Sequence, residues 1–214
     1  MSKIQTNKIQ HTANSAAEFT LPTADGTNGQ ALKTNGSGTL SFGGAGKILQ
    51  VVSVSDSVRE TVGTVSLSSA NTYYDTPFAV TITPSATSSK ILLMGHIMGE
   101  FNFDDYLGVW RINRAISGGS TTAIQAASAG SRPRSISVVP SGFYSSNADS
   151  TPTVINFAGL LDSPSTTSAI TYTFQVNSTQ SASKTFYYNQ TVNSSDSIDY
   201  ERGLSWITAQ EISG

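Results

Sequence analysis

Downstream of residue 46 the chain alternates apolar and polar positions with a period of two. The cleanest run sets Ile170, Tyr172, Phe174 and Val176 on one side and Thr171, Thr173 and Gln175 on the other, the pattern of a half-buried strand. Phe78, Val80 and Ile82 share a face in the same way over 78–83. Residues 90–98, KILLMGHIM, are apolar almost without a break and predict a central strand covered on both faces. Further strands are expected over 47–54, 107–112, 135–139, 154–161, 184–188 and 204–209, each rich in Val, Ile, Thr or aromatic residues,. A 3.6-residue period is sustained nowhere. The expectation is an all-β protein whose residues 47–214 form an antiparallel β-sandwich or jelly-roll-like head domain.

Two stretches of that region echo each other. TITPSATSSKILL (81–93) and LDSPSTTSAITY (161–172) both run Pro-Ser, then Thr-Ser, then an apolar strand. Two equivalent corners of a double-layered fold would produce this, with Pro84 and Pro164 at the turns; so would chance in a chain this rich in Ser and Thr.

The first 46 residues lack the pattern. Over 1–19 the large apolar residues Ile4, Ile9 and Phe19 fit neither helical nor strand spacing, and Ala13, Ala16 and Ala17 allow one short helical turn. Over 20–42 four turn pairs, Asp25-Gly26, Asn28-Gly29, Asn35-Gly36 and Ser37-Gly38, surround single apolar residues. Such a segment cannot bury enough surface to offset a backbone ordering cost of ~1–2 kcal/mol per residue. It is either a flexible linker or a stem completed by sister chains. Linkers are poor in large apolar residues, whereas Phe19, Leu21, Leu32, Leu40 and Phe42 recur here. That favours an intertwined trimeric stem over 20–46, with those five side chains packed about one axis and Gly43-Gly44-Ala45-Gly46 as its hinge.

Composition narrows the surface chemistry. Only 12% of residues are charged and the net charge is −2, while Ser (34) and Thr (26) supply the polar groups. The 12 Lys and Arg residues are scattered along the chain, which argues against nucleic acid and against an anionic membrane. There is no Cys, hence no disulfide and no thiolate metal site. The N-terminus turns polar at once, without a secretory apolar core, and the longest apolar run, 91–98, falls far short of the ~20 residues of a membrane helix. Synthesis in a cytoplasm combined with an extracellular kind of surface suits a virion component.

The run LPTADGTNGQALKTNGSGTLSF (21–42) resembles the stem repeat of bacteriophage tail-fibre and related virion fibre proteins. Lys47–Val51, Ile82–Leu92, Leu161–Ala169 and Ile207–Ile212 are similar to parts of the C-terminal domain of such fibres, those of marine and cyanobacterial phages above all. The resemblance implies a homotrimer on the virion surface. Residues 1–19 would be the attachment peptide that meets other virion proteins, and the head would meet a host surface glycan or protein without cofactor or catalysis. Many tail fibres also carry a long tail-docking domain, which is not seen here. A capsid-decorating head fibre or cement protein is therefore the alternative, and a glycan-cleaving tailspike a second one.

The candidate chemistry is sparse. Aromatic pairs near expected loops, Tyr73-Tyr74, Phe143-Tyr144 and Tyr187-Tyr188, offer rigid area with a polar handle. In each pair one ring should be buried and the other exposed. Tyr73, Tyr74, Phe143, Tyr144 and Tyr188 are candidate receptor contacts, as are Asp104, Asp105 and Tyr106, which lie with Glu100 in an expected loop; intersubunit packing is the competing role for the aromatics. Paired carboxylates beside aromatic rings are also what glycan cleavage needs, but a short chain with few acids suits it poorly. His11 and His96 are the only histidines; His96, inside an apolar run, reads as a hydrogen-bonded core or axis residue. No metal-ligand spacing is present.

Overall fold

The structure, a computed structural model, describes residues 6–10, 18–27, 30–44, 46–102, 108–128, 130–138, 150–179 and 183–214. Ala13, Ala16, Ala17, His11, Asp104, Asp105, Tyr106, Phe143 and Tyr144 lie outside the described residues. The protein is all-β and antiparallel. It divides into two compact units, residues 1–49 with Ser213 and residues 50–212 with Gly214.

In the first unit two ribbons form. β1 (Lys8–Gln10) pairs antiparallel with β2 (Glu18–Thr20), setting Ile9 opposite Phe19. β3 (Gln30–Thr34) pairs with β4 (Leu40–Gly44), setting Leu32 opposite Phe42 and Thr34 opposite Leu40. The turn between β3 and β4 is held by Asn35, whose Oδ1 accepts from the backbone N–H of Ser37 (2.8 Å) and of Thr39 (3.1 Å). Gly36 and Gly38 take positive φ there, 81° and 83°, which only glycine adopts without penalty. None of the described residues of this unit is buried.

The second unit is a sandwich of two sheets. One has the order β10 (Thr121–Ile124), β9 (Gly108–Ile116), β13 (Ile170–Ser178), β7 (Tyr74–Ile82), with the two-residue β11 (Ser137–Val138) also on β9. The other runs β5 (Ile48–Ser53), β15 (Trp206–Ile212), β8 (Lys90–Phe101), β14 (Lys184–Tyr188), β6 (Gly63–Leu67), with β12 (Thr153–Asp162) also on β8. The division between the units falls inside β5, after Leu49. Inward residues of both sheets meet in one core: Phe78, Val80, Ile82, Trp110, Ile112, Ile170, Tyr172, Phe174 and Val176 from the first, and Leu67, Ile91, Leu93, Ile97, Phe101, Ile155, Phe186, Ile207 and Ala209 from the second. This is face-to-face packing of two sheets. Trp110 sits among Phe101, Phe174 and Phe186, with ring centroids 5.4, 5.3 and 4.8 Å away.

The head strands expected from alternation are present, with four differences. β8 is paired along both edges over residues 91–96, but both faces are buried only at its end, where Met98 and Glu100 join Ile97 and Phe101; over 91–96 the buried face is that of Ile91 and Leu93. Leu92, Met94 and His96 on the other face are half-buried, with no second layer over them among the described residues of this unit. Of the strand expected over 135–139, the described residues form Ser137–Val138, and Ser135 and Ile136 stay outside it. β6 and β10 carry too few large apolar residues to stand out, and one helical turn, α1 (Asp56–Arg59), precedes β6. β12 shifts register between Phe157 and Leu160, where Gly159 has φ 78°, the mark of a bulge.

The echo has a structural counterpart. The connection β7–β8 passes from the first sheet to the second, and β12–β13 passes back. Pro84 and Pro164 are both buried, and the burial of residues 83–88 matches that of 163–168 position by position. A carboxylate secures the first corner. Glu211, 1% exposed, accepts at Oε1 from Ser85 N–H (2.7 Å), Ser85 Oγ (2.7 Å) and Ser89 Oγ (2.6 Å), and at Oε2 from Gln50 Nε2 (2.7 Å). At the second, Asp162 pairs with Arg114 Nη1 (2.7 Å) and accepts from the Tyr172 hydroxyl (2.8 Å). Burial first, then that hydrogen bond and the Asp162 charge, push the Tyr172 phenol far up.

Candidate functional site

β9 and β13 bring a cleft together at one end of the first sheet. Their register sets Arg111 opposite Gln175 and Val109 opposite Asn177, and the next pairing sets Gln175 opposite Asp75. Tyr73 stands just before β7. The Arg111 guanidinium lies over the Tyr73 ring, 3.8 Å from its centroid, a cation–π contact. Its Nε donates to Gln175 Oε1 (2.6 Å) and its Nη1 to Gln125 Oε1 (3.2 Å). Gln175 in turn donates from Nε2 to Asp75 Oδ1 (2.7 Å). The segment before β11 closes the cleft: the Tyr73 hydroxyl donates to the Arg134 carbonyl, and Ser131, Arg132, Pro133 and Arg134 line the space with Asn71, Tyr73, Arg111, Gln125 and Asn177. The volume is about 210 Å³.

The electrostatics of this cleft are one-sided. Half of the chain's six arginines line it. Among the described residues the ion pairs made by arginine belong to Arg59 and Arg114, so Arg111, Arg132 and Arg134 pair with no carboxylate. Burial lowers the Arg111 pKa and the neighbouring Arg134 charge lowers it further, against the opposing pull of Tyr73 and Asp75. Burial raises the Tyr73 phenol, opposed by a hydrogen bond from Asn177 and by the charges of Arg111 and Arg134, so it stays a neutral donor at physiological pH. Asn177 is 1% exposed, yet its Oδ1 has no hydrogen-bond partner among the described residues. A buried amide oxygen left unpaired costs about 1–3 kcal/mol.

A larger cleft of about 310 Å³ lies along 190–202. Several of its lining groups are engaged by neighbours: Ser195 Oγ donates to Asn193 Oδ1 (2.7 Å), Asn193 Nδ2 to the Tyr200 hydroxyl (2.7 Å) and Ser197 Oγ to Asp199 Oδ2 (3.0 Å). Asp196, Glu201 and Arg202 give it mixed charge, so it lacks the electrostatic bias of the arginine cleft.

The other sequence candidates sit elsewhere. Tyr74 is half-buried, its hydroxyl bound to Ser68 Oγ and to the Ser69 N–H, both at 2.8 Å; the Ser68 bond leads in lowering its pKa. Tyr188 packs edge-on to Phe78, with ring centroids 5.6 Å apart. In both described pairs, Tyr73-Tyr74 and Tyr187-Tyr188, each ring is half-buried rather than split between core and solvent. The cause is that each pair ends a strand, where strict alternation relaxes. Glu100 is not in a loop but fully buried in β8. It accepts from Thr151 N–H (2.8 Å), Thr151 Oγ1 (3.0 Å) and Val192 N–H (2.7 Å), which tethers two loops. His96 is half-buried, donates from Nδ1 to Asn156 Oδ1 (2.7 Å) and stacks on Trp206. Among the described residues, no group of three His, Asp or Glu could hold a metal ion. Phe19, Leu32 and Phe42 are exposed, and Leu21 and Leu40 half-buried.

Sequence reasoning missed Arg111, Arg132, Arg134, Gln125 and Asn177, which come from segments up to 66 positions apart. The one local signal was Arg132-Pro133-Arg134, two cations flanking a stiff residue.

No family model matches the chain, and no curated protein matches it. Among solved structures, the Gt strain of infectious bursal disease virus aligns over 80% of this chain and 43% of that one, with 11% identity and a TM-score of 0.37. The VP2 subviral particle of the same virus aligns over 80% and 43%, with 11% identity and a TM-score of 0.35. The chain thus spans less than half the length of the viral chains it matches, and the likeness is a weak one of fold.

Proposed function

We propose that the chain is a homotrimeric phage virion fibre. Residues 1–46 join the particle and intertwine as a stem, and the head adsorbs the particle to a host surface glycan by non-covalent contact. The observation that carries this reading is the pair of ribbons with uncovered apolar faces. Ile9 and Phe19 stand opposite each other at 53% and 38% exposure, as do Leu32 and Phe42 at 50% and 36%. Leu40 shares the Leu32–Phe42 face. A lone two-stranded ribbon is marginally stable in water, and sister copies would supply the missing cover, as the stem-like run 21–42 implies. Adsorption then works by avidity: three weak sites per trimer raise effective affinity without strong single contacts.

Light scattering of the full-length protein should report a trimer. Leu32→Asp with Phe42→Asp should dissociate it, and residues 47–214 alone should stay folded, since the whole core lies within 54–209. A stable monomer with ordered ribbons overturns the stem. In phage assembled without residues 1–46 of this chain, loss of the protein from particles is expected while the free head still binds cells. A head that still coats capsids points instead to the shell-decorating alternative.

A further inference from the structure

We propose that the cleft between Tyr73 and Arg134 is the receptor site of the head, and that it takes the carboxylate of an acidic sugar, a uronic acid unit of a surface polysaccharide. The biological setting rests on the adsorption reading above; the binding itself does not.

Charge is the first argument. In a chain of net charge −2, three guanidiniums converge on one small space without a carboxylate partner. The nearest acid across these strands, Asp75, attracts Arg111 at a distance but forms no ion pair with it, so one carboxylate stands against three cations. Like charges gathered in this way repel until an anion enters. Guanidinium forks match a planar carboxylate in geometry as well as sign.

Preorganisation is the second. Arg111 is held by the Tyr73 ring, Gln175 and Gln125, which leaves Nη2 without a hydrogen-bond partner among the described residues and little rotamer freedom to lose. Pro133 stiffens the opposite wall, and the Tyr73–Arg134 hydrogen bond ties that wall to the sheet. A buried acceptor separates a sugar acid from a bare anion. Asn177 Oδ1 is a buried acceptor beside the guanidiniums. A ligand that uses it must bring a hydroxyl donor as well as a negative charge, as a uronic acid does. The volume, about 210 Å³, is below the ~300–1,000 Å³ of pockets that enclose drug-sized ligands and suits one ring of a polymer whose neighbours stay outside.

The test is calorimetric titration of the full-length protein with sodium glucuronate, with methyl glucoside, and with inorganic sulfate and phosphate. Glucuronate should bind at least about tenfold more tightly than the neutral sugar, since a charge-assisted hydrogen bond contributes on the order of 1.5–3 kcal/mol, and binding should weaken with added salt. Arg132→Gln with Arg134→Gln should lower glucuronate affinity about tenfold or more without moving the melting temperature, both side chains being exposed,. Equal binding of the neutral sugar, an unchanged double variant, or tighter binding of sulfate or phosphate would overturn the proposal. Phage carrying the same double variant distinguish the two readings. Glucuronate binding lost with adsorption intact removes the cleft from adsorption; adsorption lost in a protein that never bound glucuronate keeps adsorption and rejects the sugar acid.

Discussion

Gly99→Ala is expected to destabilise the head by about 3 kcal/mol or more, at the upper end of overpacking costs. For a chain of this length that lowers the melting temperature by about 6–12 °C. Gly99 lies in β8 opposite Tyr188 of β14 and Thr153 of β12. A Cβ there would collide with the Tyr187 carbonyl and with the Phe186 ring, whose Cε2 would stand 2.7 Å away. Neither neighbour can yield. The carbonyl belongs to a paired strand, and Phe186 is fully buried against Phe101 and Trp110. Gly46→Ala is the control: its Cβ would meet nothing nearer than 4.0 Å, and a change within about 0.5 kcal/mol is expected. Thermal unfolding followed by near-UV dichroism reads both. A Gly99→Ala midpoint within 2 °C of the parent would refute the close-packing account.

Glu211→Gln should cost about 3 kcal/mol at neutral pH, because four donors lose a charged acceptor in a buried place. Its dependence on pH carries the sharper signature. Burial by itself raises the Glu211 pKa, but hydrogen bonds from Ser89, Ser85 and Gln50 and from the Ser85 backbone outweigh it, and the net shift is downward. A carboxylate whose folded pKa lies below its unfolded value of about 4.3 contributes its full stability above that value and loses it as pH falls through the folded pKa. The gap between parent and variant should therefore be widest near pH 7 and narrow below about pH 4. Urea midpoints at pH 7 and pH 3.5 measure it; parallel curves for the two proteins would exclude the clasp as the source.

These two sites show where the sequence is legible and where it is not. β7 and β13 were readable because one buried face imposes alternation on Phe78, Val80, Ile82 and on Ile170, Tyr172, Phe174, Val176, all buried; β8 was readable as an apolar run. Alternation also sent Gln175 outward, and it does leave the core on that side. It is nevertheless 7% exposed, held between Arg111 and Asp75 on the two flanking strands, and no local pattern reports a contact to another strand. The arginine cleft stayed hidden for the same reason: its parts become neighbours only through the β9–β13 register. The poverty of the first unit was visible in advance, since few apolar residues among many glycines leave nothing to bury, and the described residues there bury none. The weak β6 and β10 owe their place to pairing with β14 and β9, a dependence that composition does not record.

β15 occupies an interior place, between β5 and β8. A ribosome delivers those two flanking strands long before it delivers residues 206–212. Until then the edges that will hold β15 stand bare, and bare edges invite pairing with strangers. Growing chains, and any product cut short before residue 206, should thus be the species that clump during production, and helper factors that shield strand edges should raise the yield.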